Sequence, residues 1–100
     1  MRTMLKFSLD VEAANLAISD GSIAATFGKI FAICRPEAVY FLTENGRRTG
    51  HVYFDLKSPD QVPMLAEPLF QAMSATVDFV PVMTPAELEK GLQAWAESRG

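Results

Sequence analysis

Apolar and polar positions alternate along residues 3–9, with Leu5, Phe7 and Leu9 set against Met4, Lys6 and Ser8. A period of two predicts a strand whose two faces meet different surroundings. The spacing then changes, and Ile23, Phe27, Ile30 and Cys34 fall on one helical stripe suited to lying on a sheet. This helix ends before Arg35-Pro36, because the residue preceding a proline is pushed out of the α region. Its start is open: residues 11–18 read as helical, while Ser19-Asp20-Gly21 offers a cap and a weak helix former that break or kink the segment.

Residues 37–43 and 50–57 are rich in β-branched and aromatic side chains. They flank residues 44–49, whose Asn45-Gly46 step favours a turn with positive φ, and together they predict a hairpin. Ser58-Pro59-Asp60-Gln61 reads as a capping box with proline at the first helical position, so a second helix begins there, kept short or irregular by Pro63 and Pro68. Residues 76–83 return to strand character. Thr84-Pro85-Ala86-Glu87 then caps a final helix with Leu88, Leu92 and Trp95 on one face. The order β-α-β-β-α-β plus a C-terminal helix predicts an α+β, ferredoxin-like fold, a four-stranded antiparallel sheet covered by helices on one face. With no internal repeat or low-complexity linker, residues 1–100 are expected to form one domain.

Side chains at alternate strand positions share a face. Val39, Phe41, Val52, Phe54 and Leu56 are the greasier set and are assigned to the helix side. Ala38, Tyr40, Leu42, His51, Tyr53 and Asp55 then share the other face, joined by Met4, Lys6 and Ser8 from the first strand and by Thr76, Asp78, Val80 and Val82 from the last. Such a surface is too apolar for open water and too polar for an ordinary core. A partner sheet is the simplest cover.

By element order the chain resembles the dimeric α/β barrel superfamily, in which two ferredoxin-like subunits pack their sheets face to face. Pro68-Leu69-Phe70-Gln71-Ala72-Met73, leading into a strand, resembles the corresponding stretch of the muconolactone isomerase branch. The resemblance implies a homodimer with a pocket either between each sheet and its own helices or inside the barrel. Members of the superfamily include isomerases, cofactor-independent monooxygenases and haem-degrading enzymes, so the likeness implies a location for a site and no particular reaction.

Composition narrows the partners. A hydrophobic content of 49% with 21% charged residues suits a packed domain rather than a disordered chain. A net charge of -3 and a pI near 5.0 give no electrostatic reason to approach a phosphate backbone, so nucleic acid is not expected as a partner. No apolar run approaches the roughly 20 residues that span a bilayer, and residues 1–10 lack a signal-like apolar stretch. A soluble, cytoplasmic protein is the expectation, without a membrane partner.

His51 is the only histidine and the only side chain whose unperturbed titration falls near neutrality, which makes it the candidate for proton transfer. The plainer alternative is a histidine near a hairpin end, bonded to a neighbour. Tyr40 and Tyr53 are candidates to orient a substrate carbonyl or phenol, or else supply packing area. Lys6 and Asp78, facing a barrel interior, would pair or take shifted pKa values, or form a structural ion pair. The candidate site is thus catalytic His51 and Asp78 with substrate-binding Tyr40, Tyr53 and Lys6.

Other residues carry two readings each. Asn15, Ser19 and Asp20 would bind a small polar ligand or simply cap helices; Arg47 and Arg48 would hold a carboxylate at the barrel mouth or form a solvated tip; Glu67 would be a buried carboxylate or face water. Cys34 reads as a small core residue without neighbours that would activate a thiolate. One histidine and one cysteine provide no zinc or haem spacing, Gly-rich phosphate loops are absent, and no cofactor is expected. Two functions remain: a homodimer that assembles through its sheet face and binds a small metabolite, or a cofactor-independent isomerase or monooxygenase-like enzyme on a small lactone or aromatic substrate.

Overall fold

A computed structural model describes the whole chain, Met1–Gly100. Its elements run β1 (Arg2–Ser8), α1 (Val11–Ser19), α2 (Ser22–Cys34), β2 (Ala38–Glu44), β3 (Arg47–Asp55), α3 (Gln61–Met73), β4 (Thr76–Pro81) and α4 (Pro85–Arg99). The strands form one antiparallel sheet in the order β2-β3-β1-β4. This is the ferredoxin-like α+β arrangement, with α1, α2 and α3 packed on one face and α4 appended.

The period-two pattern of β1 fixes which face is which. Thr3, Leu5 and Phe7 are buried, while Met4, Lys6 and Ser8 are only partly covered. Leu5 and Phe7 join Val52 and Phe54 from β3, Ile30 and Cys34 from α2, and Leu65, Leu69 and Met73 from α3 in one core. Each large apolar side chain buried there contributes roughly 1.5–3 kcal/mol. Burial also pushes the Cys34 thiol up, as suits a core residue.

Three local features settle or correct the sequence-based expectation, the first by a break at the Ser19-Asp20-Gly21 step that the sequence left open. The first helical segment is two helices, α1 and α2, whose axes bend by 99°. Gly21 takes the left-handed conformation at the junction (φ 78°), and Asp20 Oδ1 accepts the Ser22 backbone N–H at 2.8 Å. Hydrogen bonding from the Ser22 side chain, followed by that from its backbone N–H, holds the Asp20 carboxyl below its usual range. Capping, rather than ligand binding, therefore occupies Asp20.

The hairpin turn is tighter than residues 44–49. Asn45 (φ 54°) and Gly46 (φ 74°) both have positive φ, as a two-residue hairpin loop requires, so Glu44 is the last residue of β2, and Arg47, Arg48 and Thr49 already belong to β3. The capping box expected at Ser58 does not form: the helix N-cap is Asp60, without a side-chain cap. Gln61 Oε1 reaches back to the Lys57 N–H at 2.9 Å, but the helix begins at Gln61, and it runs on through Pro68 to Met73. Pro63 lies in the first turn, where no N–H donor is needed; Pro68 leaves one carbonyl without its helical partner, and the buried Leu65, Leu69 and Met73 face outweighs that loss.

The final helix is capped as expected. Thr84 Oγ1 accepts the Glu87 N–H at 3.2 Å, and Glu87 Oε1 accepts the Thr84 N–H at 2.8 Å, which lowers the Glu87 carboxyl. No α4 residue is buried, and the molecule extends 59 × 28 × 19 Å with a radius of gyration of 16.3 Å. A compact 100-residue domain has a radius near 13 Å. The helix projects from the body as an arm.

Candidate functional site

The sheet register lines up the sequence-derived candidates. Tyr40 on β2 stands opposite His51 on β3, His51 opposite Lys6 on β1, and Lys6 opposite Asp78 on β4. The four form one row straight across the open face. Tyr53 lies in the adjacent row with Ala38, Met4 and Val80. Neighbouring strands are about 4.8 Å apart, so His51 and Lys6 are immediate neighbours while Tyr40 and Asp78 stand about 14 Å from each other. A single small molecule on this face would meet His51 and Lys6 together with one end of the row.

Lys6 does not pair with Asp78. Its Nζ lies 2.6 Å from Glu44 Oε2, and Asp78 makes no ion pair. The tight Asn45-Gly46 turn explains this outcome, since it leaves Glu44 in the strand and on the same face as Lys6. Because β3 lies between β1 and β2, the Lys6–Glu44 bridge spans the β3 side chains on that face, and both Thr49 and the Nε2 atom of His51 are buried. The hydrogen bond from Lys6, followed by the Lys6 charge and that of His51, holds the Glu44 carboxyl below its usual range. His51 Nε2 has no hydrogen-bond partner. A buried ring nitrogen without one is uncommon.

A second candidate region lies on the opposite side of the sheet, at its hairpin end. A cavity of about 360 Å³ is lined by Phe7 and Leu9 from β1 and its exit, Ile23 and Phe27 from α2, Phe41, Leu42 and Thr43 from β2, and Arg48 and Thr49 from β3. Its aromatic wall is continuous: ring centroids are 5.5 Å apart for Phe7–Phe27 and Phe27–Phe41, and 6.4 Å for Phe7–Phe41. Phe41 lies on the helix face as expected but is 60% exposed, because edge strand β2 extends past the helices that cover the centre. Arg48 Nη2 donates to Asn15 Oδ1 of α1 at 3.0 Å. Asn15 and Arg48, read separately along the sequence, are thus brought together by the fold.

The cavity and the Tyr40–His51–Lys6–Asp78 row occupy opposite faces of the sheet. A molecule in the cavity is therefore screened from His51 by the β-sheet backbone. Glu44 and the aromatic cavity were not identified from sequence. Glu44 sat in the segment assigned to the turn. A signal for the cavity was present in Gly50, since a glycine inside a strand marks a close approach.

The remaining candidates are structural. Glu67 is exposed and accepts from Gln71 Nε2 at 3.2 Å, and Arg47 is exposed at the hairpin tip. No three His, Cys, Asp or Glu side chains converge in a metal-binding arrangement. No single helix is long and apolar enough to cross a membrane. No family model matches the chain and no curated protein is significantly similar to it, so the likeness to the muconolactone isomerase branch stands on its short 68–73 segment alone.

Proposed function

We propose that the protein is a homodimer that assembles through its open sheet face, in the manner of the dimeric α/β barrels, and binds a small metabolite. The observation that carries the assembly is α4. A lone helix of 15 residues is marginal in water, yet this one holds Leu88, Leu92 and Trp95 in a stripe that the rest of the fold leaves exposed, Trp95 being 58% exposed with only Arg99 of the same helix over its ring. The open face presents Tyr40, Leu42 and Val80 beside an internally neutralised Lys6–Glu44 pair, a surface suited to burial against a second sheet. A second copy would cover the face and receive the arm. The small-molecule half rests on the aromatic cavity, whose 360 Å³ lies within the roughly 300–1,000 Å³ of ligand pockets.

Native mass spectrometry of the purified protein tests both halves at once. A dimer carrying a defined extra mass supports them. A monomer at micromolar concentration would sink the assembly.

A second reading makes the protein a cofactor-independent isomerase or monooxygenase-like enzyme on a small lactone or aromatic substrate. The unpartnered, buried His51 Nε2 favours it, because a free ring nitrogen inside a dimer is placed to move a proton, with Lys6 and Tyr40 in the same row to hold the substrate. His51→Ala separates the two: the dimer mass is unchanged in both, and only an enzyme loses turnover.

A further inference from the structure

The aromatic cavity is apolar except at its hairpin end, where Thr43 and Arg48 contribute polar side chains. The Thr49 side chain lies on the open face, opposite Ser8 and Leu42, and its Oγ1 donates to the Arg47 carbonyl at 3.2 Å. Arg48 is not committed. Its guanidinium makes one neutral hydrogen bond, to Asn15, and no ion pair with any carboxylate of the chain, whereas Arg2, Lys6 and Lys57 are all paired. Four of the five N–H donors that a guanidinium carries are left unused. Thr43 stands directly opposite Arg48 in the β2–β3 ladder, on the same face, and its hydroxyl makes no hydrogen bond within the chain.

We infer that the cavity takes a small, flat, monoanionic molecule, an aromatic or similarly planar carboxylate, with its apolar body among Phe7, Phe27 and Phe41 and its carboxylate on Arg48 and Thr43. This rests on the small-molecule reading above and specifies its ligand class. Three observations favour a carboxylate over a phosphate or a neutral molecule. One guanidinium offers two parallel N–H donors that match the two oxygens of a carboxylate, whereas a phosphate dianion calls for further cations or a nest of backbone N–H groups, and none lines the cavity. Asn15 fixes the guanidinium at the rim without neutralising it, so the charge is positioned before a ligand arrives. The Phe27 and Phe31 rings are already stacked at 6.0 Å, while Phe41 is left with an uncovered face, which an aromatic ring would fill.

Titrating the full-length protein with phenylacetate, its neutral isostere phenylacetamide, and toluene tests this, read by chemical-shift changes at Ile23, Phe27 and Phe41. The expected result is binding of the acid at least ten-fold tighter than the amide in the natural protein, with the two made equal by Arg48→Gln and the preference partly restored by Arg48→Lys. Both variants alter a rim side chain outside the core, and unchanged spectra away from the cavity verify the fold. Equal affinity for acid and amide in the natural protein, or an acid preference that survives Arg48→Gln, would overturn the carboxylate assignment while leaving a small-molecule cavity in place. If none of the three probes shifts these resonances, the cavity accepts no molecule of this kind, and the binding half of the proposed function falls with it.

Discussion

The Phe7 ring occupies the space that a side chain on Gly50 would need. The two residues are directly opposed in the β1–β3 ladder, and a Cβ on Gly50 would meet the edge of the ring well inside van der Waals contact. The missing side chain lets Phe7 lie across β3 and reach Phe41 on β2, which builds the floor of the aromatic cavity. The glycine is needed for this approach, not for a special backbone angle.

Gly50→Ala should therefore destabilise the fold by about 1–3 kcal/mol, as over-packing in a tight core does. It should also push Phe7 into the cavity and weaken any aromatic ligand there. Urea denaturation of the variant measures the first effect, and a stability equal to that of the natural protein would show that the ring moves aside freely.

Removing α4 by truncation after Thr84 should leave the sheet and α1–α3 folded, because no α4 residue contributes to the core. The expected loss is in the dimer, whose dissociation should shift to higher concentration in sedimentation velocity. A truncated chain that is folded by circular dichroism and dimerises with unchanged affinity would count against the arm as an assembly element.

Thr84→Ala removes the Oγ1 that accepts the Glu87 N–H and leaves the backbone N–H at position 84 to donate to Glu87 Oε1, a change that costs about 1 kcal/mol of helix stability. Amide exchange in the first turn of α4 should accelerate several-fold, with exchange in β1 and β3 unaltered. Acceleration spread evenly through the sheet would mean that α4 and the body unfold as one unit.

The Asp55 carboxyl is lowered from 3.8 to about 2 by its hydrogen bonds to Lys57 and to the N-terminal ammonium, at 2.7 Å each. A depressed carboxyl stabilises the fold above its unfolded value and ceases to do so as pH falls through the folded one. The stability advantage of the natural protein over Asp55→Asn should thus be full above about pH 4 and vanish toward pH 2. Its magnitude is small for a solvated pair. A difference that stays constant from pH 6 to pH 2 would rule out this linkage.

Lys6→Met should let the Glu44 carboxyl rise toward its ordinary 4.5, since the Lys6 hydrogen bond is the main cause of its depression. A ¹³C-detected titration of Glu44 in the two proteins reads this directly. No rise in the variant would show that Lys6 is not its partner in solution.

The amino-acid sequence by itself determined the element order, the face of each strand and the identity of most of the core. These follow from local rules, the period-two alternation of Leu5, Phe7 and Leu9 and the helical spacing of Ile23, Phe27, Ile30 and Cys34. Local chemistry also fixed the last helix, whose Thr84–Glu87 box lies within four consecutive residues. The open-face row of Tyr40, His51, Lys6 and Asp78 was half legible: alternation put all four on one face, and only strand pairing set them opposite one another. The tertiary structure alone decided which charges meet. Lys6 takes Glu44 in place of Asp78, and Arg48 meets Asn15, through contacts between residues 38 and 33 positions apart. Both depend on the Asn45-Gly46 turn, whose positive φ angles shorten the loop to two residues and return Glu44 and Arg48 to the strands. Turn chemistry is local, but where it delivers a charged side chain depends on the register of the whole sheet and on the helix packed above it.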